Sequence, residues 1–204
     1  MSAPVVLATR NAHKLAEVGR ILAPYGLAVT ALPAEVVLGP EDGDTYAANA
    51  LGKARVAAVA LGVAVIADDS GIEAAALAGR PGVHSARFAG ETATDADNLA
   101  LLIGSVPAGS PLRYVCWVAW VAPDGEEALF SGVCDGTLLV PPRGEGGFGY
   151  DPAFLPDRDG VHADATGRSM AELSEAEKDR ISHRGEAVRA FARWQVARSV
   201  DPPR

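Results

Sequence analysis

Two adjacent carboxylates, Asp68 and Asp69, follow an apolar run from Leu61 to Ala67 and precede Ser70-Gly71. Short apolar runs closed by polar and glycine residues read as buried strands, and α/β proteins place ligands beyond the carboxyl ends of such strands. Paired acids at that point have the chemistry to hold a hard cation and to take a proton from water. Neighbours in an extended strand point to opposite faces. The expectation is therefore that the strand ends at the acids, and that a bend at Ser70-Gly71 brings one onto an ion and frees the other. Asp-Asp-Ser-Gly is also ordinary loop chemistry, because Asp and Ser bond nearby backbone and Gly accepts positive φ. A second glycine turn, Gly79-Arg80-Pro81-Gly82, is expected to redirect the chain.

Groups suited to anions lie elsewhere in the sequence. Pro4 to Ala8 is β-like; Thr9-Arg10-Asn11 follows, then a helical pattern to about Ala23 with Leu15, Val18 and Leu22 on one face. A strand, a polar turn and a helix start offer free backbone N–H groups and a helix dipole to a phosphate. Thr9 and Asn11 add side-chain hydrogen bonds there, and Lys14 adds a charge. The glycines of a Walker loop are missing, and helix capping also explains Thr9 or Asn11. Gly39 to Asp44 is an acidic loop ending at Thr45, which caps an alanine-rich helix from Tyr46 to Leu61 carrying Lys53 and Arg55. Acids ahead of a helix complement its dipole; they also supply the oxygens that magnesium takes from protein. The run Arg143 to Pro152 combines glycines with Phe148 and Tyr150. It suits a loop that approaches a ligand, with Phe148 stacking on a planar base, and equally a hairpin or linker.

The elements that must position these groups alternate between strand and helix. Thr92 to Gly104 reads as a helix capped by Thr94. Leu112 to Val121 and Glu127 to Val133 read as strands joined at Pro123-Asp124-Gly125, and Gly136 to Val140 as a third. Pro156 to Ser169 reads as an exposed loop. Ala171 to Glu175 opens a helix capped by Ser174, with Glu177 completing a capping box. Lys178 and Ser182-His183-Arg184-Gly185 follow, then a last amphipathic helix to about Arg198 and a loose tail from Asp201. A chain of 204 residues suits one domain or two closely fused lobes.

With 49% hydrophobic and 22% charged residues, the composition is that of a folded globular protein. The formal charge of −8 argues against broad attraction to nucleic acid or anionic membrane. No apolar stretch reaches the roughly 18 residues of a membrane span, and no signal-peptide pattern opens the sequence, so the expected location is the cytoplasm. Cys116 and Cys134 lie in strand-like segments without Cys-x-x-Cys spacing, which reads as reduced buried thiols rather than a zinc site.

Taken together, the separated motifs resemble those of the inosine and xanthosine triphosphate pyrophosphatase family, also called HAM1-like. They are Leu7-Ala8-Thr9-Arg10-Asn11 with Lys14, Asn49-Ala50 with Lys53, and Ala67 to Gly71. Pro81 to Arg87, Gly147 to Pro152, and Ala171-Glu172-Leu173 with Lys178 and Ser182 to Gly185 complete the set. They occur in the family's order over nearly the whole chain. The resemblance implies an α/β fold with a mixed twisted sheet flanked by helices and two lobes around a central cleft, the lobes forming a single domain over residues 1–204. It implies hydrolysis of non-standard purine nucleoside triphosphates (ITP, dITP, XTP) to monophosphate and pyrophosphate, with Mg2+ as cofactor and a homodimer as the assembly. Asp69 is implied as general base and metal contact, and Asp68 and Glu41 as further metal candidates. Thr9, Arg10, Asn11, Ala12, His13, Lys14, Lys53 and Ser70 are implied around the phosphates and sugar. Phe148, Gly149, Tyr150, Asp151, Lys178, His183 and Arg184 are implied around the base.

An arginine such as Arg184 only donates hydrogen bonds, so it suits a 6-oxo purine and leaves the amino group of adenine facing a donor. This sequence reads Pro40-Glu41-Asp42-Gly43 where the family often has paired glutamates, and Arg10 and His13 stand where small residues are common. Two other readings use the same residues: a phosphatase with an aspartate nucleophile, which expects an Asp-x-Asp spacing, and a nucleotide-sensing module without turnover.

Overall fold

The computed structural model describes residues 4–157 and 167–200, the last by its backbone alone. The loop expected over 156–169 and the tail expected from Asp201 fall largely or wholly outside the described residues. The strands and helices run in chain order as β1 (Val5–Leu7), α1 (Ala12–Leu22), β2 (Val29–Ala31), α2 (Tyr46–Leu61) and β3 (Val65–Ala74). They continue as α3 (Asp95–Ser105), β4 (Pro111–Val121), β5 (Glu127–Leu138), β6 (Phe154–Pro156), α4 (Glu175–Ile181) and α5 (His183–Val200). One mixed sheet has the order β2-β1-β3-β4-β5-β6. β1 is parallel to β2 and β3, with Leu7 opposite Ala31 and Ile66, and β6 is antiparallel to β5, with Phe154 opposite Leu138.

The described residues form two compact units. The first comprises residues 4–69, Cys116–Gly132 and residues 184–200, and the second Ser70–Val115 and residues 133–157 and 167–183. Strand alternation organises the core of the first unit. Ile66 on β3 and Cys116, Val118 and Trp120 on β4 join Val18, Ile21 and Leu22 of α1 and Val188 and Phe191 of α5. Val65 and Ala67, with Ala119 and Val121, join Ala50, Ala54, Ala57 and Ala58 of α2. The two sets alternate along each strand, as period-two geometry requires. The alanine face lets α2 lie close to the sheet. In the second unit, Ile72, Leu102, Leu112, Tyr114, Leu138, Phe154, Met170 and Ile181 share one core.

The helix starts follow local chemistry. Thr45 accepts the Ala48 N–H at 3.1 Å, and Thr94 with Asp97 and Ser174 with Glu177 form capping boxes. The Asp124-Gly125 turn forms as expected, with Gly125 at φ 89°.

Three expectations are corrected. β3 does not stop at the acids but continues through Ser70-Gly71 to Ala74, because Ile72 and Ala74 are wholly buried and carry the alternation onward. The two strands expected over 127–133 and 136–140 are one strand. The glycine taken as a strand start, Gly136, is instead where β6 crosses: a Cβ there would lie 2.5 Å from the Leu155 carbonyl and 2.6 Å from the Phe154 ring. α5 has no clean amphipathic pattern, since the buried set that includes Ala187, Val188 and Phe191 also includes Arg184.

Gly136→Ala should therefore cost about 1–3 kcal/mol by overpacking. Gly52→Ala, at an open position inside α2, should stabilise by about 0.5–1 kcal/mol. Urea unfolding of both variants checks the contrast, and equal effects would refute it.

Candidate active site

The continuity of β3 sets the chemistry of its two acids. Asp68 shares the parity of Ile66 and so emerges on the side of α1 and α5. Asp69 shares that of Val65 and Ala67 and emerges on the side of α2. Each meets cations from its own side. Lys14 Nζ from α1 lies 3.0 Å from Asp68 Oδ2, and Arg184 Nε from α5 donates to the same oxygen at 3.2 Å. Arg184 Nη1 also donates to Glu17 Oε2 at 2.6 Å. From α2, Asn49 Nδ2 donates to Asp69 Oδ2 at 2.9 Å and Lys53 Nζ lies 3.9 Å from Asp69 Oδ1. Lys53 Nζ also donates to Glu41 Oε1 at 2.5 Å and to the Asp68 carbonyl at 2.6 Å. Asn49 and Lys53 are four residues apart on one helix face, which is why both reach the same strand.

These surroundings give adjacent acids opposite proton affinities. Burial acts to raise both. For Asp68, Lys14, Arg184 and Lys53 outweigh burial, and its carboxyl is held well below the usual carboxylate range. For Asp69, burial prevails over Lys53 and the Asn49 hydrogen bond, with Glu41 adding to it, and the carboxyl is raised. The same acids work on Lys53, whose burial favours proton loss but whose pKa is raised by Asp68, Glu41 and Asp69.

At the start of α1, Asn11 Oδ1 accepts the N–H groups of His13 at 2.9 Å and Lys14 at 3.3 Å, and Thr9 Oγ1 accepts that of Asn11 at 3.1 Å. Ala12 and His13 are exposed, and Ser70 is half-buried. Arg10 does not add its charge to this turn alone. Its guanidinium donates to the carbonyls of Leu32 at 2.8 Å, Pro33 at 2.9 Å, Ala34 at 3.2 Å and Val36 at 2.5 Å, tying down the chain after β2.

The second unit gathers the aromatic set. Asp151 Oδ2 accepts from Lys178 Nζ at 2.6 Å and from the Phe148 N–H at 2.9 Å. Lys178 Nζ lies 4.8 Å from the centre of the half-buried Phe148 ring. Gly149 N–H donates to Asp95 Oδ2 at 3.0 Å, and Tyr150 Oη donates to the Ser85 carbonyl at 2.7 Å. His183 is buried and stacks on Tyr114, with ring centres 4.5 Å apart and planes 6° apart. Gly147 serves the packing of this loop, since a Cβ there would collide with the Asp151 carboxylate, whereas Gly144 and Gly146 make room for the Ala171 backbone.

Among the described residues, no three His, Cys, Asp or Glu side chains come together as a metal centre. The carboxylates nevertheless fit a hard cation. Asp68 Oδ1 is buried without a hydrogen-bond partner, and Asp69 and Glu41 are drawn to one lysine. Magnesium characteristically takes one or two protein carboxylates and completes its shell with water and phosphate.

Asn49, Glu17 and Tyr114 were not among the expected site residues. The spacing of Asn49 from Lys53 and of Glu17 from Lys14 on their helices was a usable signal. Tyr114 carried none beyond strand alternation.

Comparison with known proteins bears on the fold and the family. The mixed six-stranded sheet with flanking helices is the fold of HAM1 proteins. The solved structure of a HAM1 protein from Coxiella burnetii superimposes with a TM-score of 0.82 at 34% identity, covering 96% of this chain and 100% of that one. Residues 5–194 match the Ham1 family, and the chain belongs to it. A dITP/XTP pyrophosphatase of Frankia alni is 47% identical over 199 residues, covering 92% of this chain and 95% of its own. Another, from Mycolicibacterium paratuberculosis, is 45% identical over 195 residues, covering 91% and 92%.

Removing Arg184 would leave Asp68 and Glu17 buried without their shared cation, so Arg184→Met should cost about 3–5 kcal/mol. Because the folded-state pKa of Asp68 is depressed, the unfolded chain takes up a proton first on acidification. Its stabilising contribution is complete above about pH 5 and is lost as pH falls through about 4 toward the folded value. Unfolding measured across that window should show a steeper acid loss for the parent chain than for Asp68→Asn. Identical slopes would remove Asp68 as the titrating group.

Proposed function

We propose that this protein hydrolyses ITP, dITP and XTP to the nucleoside monophosphate and pyrophosphate, clearing non-standard purines from the nucleotide pool. The observation that carries this reading is the placement of the two acids: Asp68 lies 3.0 Å from Lys14 Nζ and 3.2 Å from Arg184 Nε, while Asp69 accepts from Asn49 at 2.9 Å with Lys53 Nζ at 3.9 Å. Burial raises the proton affinity of Asp69 against the pull of Lys53 and Asn49. Phosphoryl chemistry needs both a cationic surround for the phosphate oxygens and a base for the water. The names of the relatives, dITP/XTP pyrophosphatases, support the same reaction.

In the proposed reaction, Asp69 takes a proton from water as its oxygen attacks the α-phosphorus. The bond from that phosphorus to the bridging oxygen breaks, and pyrophosphate leaves. Lys14 and Lys53, with Thr9, Asn11 and Ser70, orient the phosphates and sugar, and the α1 N-terminus around Arg10, Ala12 and His13 adds its dipole. Asp69 and Glu41, which share Lys53, would hold Mg2+, which when bound supplies positive charge against the phosphate oxygens; Asp68, on the opposite face of β3, would hold Lys14 and Arg184 rather than that ion. Phe148 stacks on the purine, framed by Gly149, Tyr150 and Asp151. Lys178, a donor only, matches the 6-oxo group of hypoxanthine or xanthine and mismatches the amino group of adenine. His183 completes the base set. Arg184, with nitrogens already given to Asp68 and Glu17, acts on the reaction by holding Asp68.

We further propose that residues 1–204 act as a single domain, as a homodimer in the cytoplasm and without a nucleic-acid partner. No helix among the described residues is long and apolar enough to cross a membrane.

Inosine triphosphate with magnesium should yield pyrophosphate, and orthophosphate alone would reject the bond assigned. Asp69→Asn should lower kcat on the order of 10²–10⁴-fold while nucleotide binding stays measurable. Near-normal turnover would dismiss Asp69 as the base. Chelation of divalent ions should abolish pyrophosphate release, and re-addition of magnesium should restore it.

A further inference from the structure

Tyr114 is the one aromatic residue of β4 in the second unit, and both of its ends are in use. Its ring lies parallel to that of His183, 4.5 Å centre to centre. Its hydroxyl donates to Asp151 Oδ1 at 3.1 Å, the carboxylate oxygen left after Lys178 and the Phe148 N–H take Oδ2. Tyr114 is itself buried and packs against Phe154 at 4.5 Å. It therefore has one available position, fixed by a strand rather than a loop.

Each contact fixes a different group. A buried carboxylate that accepts from three donors has one orientation, so the Tyr114 hydroxyl sets where Asp151 points. Asp151 in turn sets the Lys178 ammonium and the backbone at Phe148. The flat face of the ring sets the plane of the imidazole. Burial, together with the negative charge of Asp151, raises the Tyr114 pKa well above its ordinary value, so the phenol remains a donor throughout the neutral range.

We infer that Tyr114 is a positioning residue for base recognition, orienting His183 through its ring and Lys178 and Phe148 through its hydrogen bond to Asp151. The inference rests on the assignment of these residues to the base end of the substrate.

Two substitutions separate the two contacts. Tyr114→Phe keeps the ring and removes the hydroxyl, whereas Tyr114→Leu removes both. Calorimetric titration with inosine monophosphate, adenosine monophosphate and inorganic pyrophosphate tests them without relying on turnover. Loss of one hydrogen bond to a charged acceptor should weaken inosine monophosphate about tenfold in Tyr114→Phe. In Tyr114→Leu the binding should weaken further and the preference for inosine over adenosine monophosphate should narrow about tenfold, since the imidazole plane is also released. Pyrophosphate binding should stay within about twofold of the parent in Tyr114→Phe, because it contacts no base-reading group.

In steady-state assays on inosine triphosphate, the loss in Tyr114→Phe should fall on KM rather than kcat. Unchanged inosine monophosphate binding in Tyr114→Phe, or equal weakening of all three ligands, would overturn the inference. A parent protein that binds inosine monophosphate but releases no pyrophosphate would reject the proposed reaction and leave the titrations to judge Tyr114 alone.

Discussion

A carboxylate stays ionised inside a protein only where cations and hydrogen-bond donors replace the water it has lost. Two of them in succession on a buried strand double that demand and divide it, because the pleat sends them to opposite faces. The first unit is arranged around this constraint. Lys14 on α1 and Arg184 on α5 answer Asp68, and Asn49 and Lys53 on α2 answer Asp69. Residues separated by up to 116 positions in sequence are thereby bound to one strand.

The division also separates the chemical roles of the two acids. Asp68 receives more positive charge than burial can offset, and its proton affinity falls. Asp69 has fewer favourable partners and its affinity rises. No bend in the strand is needed for this. The second unit relies on different physics, with one carboxylate, Asp151, gathering donors among stacked aromatic rings, so that orientation there is set by shape and hydrogen-bond direction more than by net charge.

Much of the local structure was legible in the sequence. The caps at Thr45, Thr94 and Ser174 follow from side chains within a few residues of the helix start, and the end of α2 at Leu61 follows from Gly62, which takes the left-handed conformation there. The continuation of β3 through Ser70-Gly71 was not legible, since a serine and a glycine carry turn propensity that the burial of Ile72 and Ala74 overrides. The pairing of Gly136 with the chain at Pro156 was hidden for a similar reason: a glycine that makes room for a distant strand looks like one that starts a turn.

For the candidate site, residue type and position singled out Asp68, Asp69, Lys14 and Lys53, whose chemistry is carried by single side chains in local motifs, whereas Lys178 and His183 were singled out only through the family resemblance of their motifs. Which partner each charge meets was decided only on folding. Arg184 turns toward Asp68 and Glu17, Arg10 toward four backbone carbonyls, and Tyr114 toward Asp151 and His183. Such pairings depend on strand order and helix placement across long sequence separations. Sequence spacing is informative over a helical turn or a strand pair, and it carries no distance beyond that.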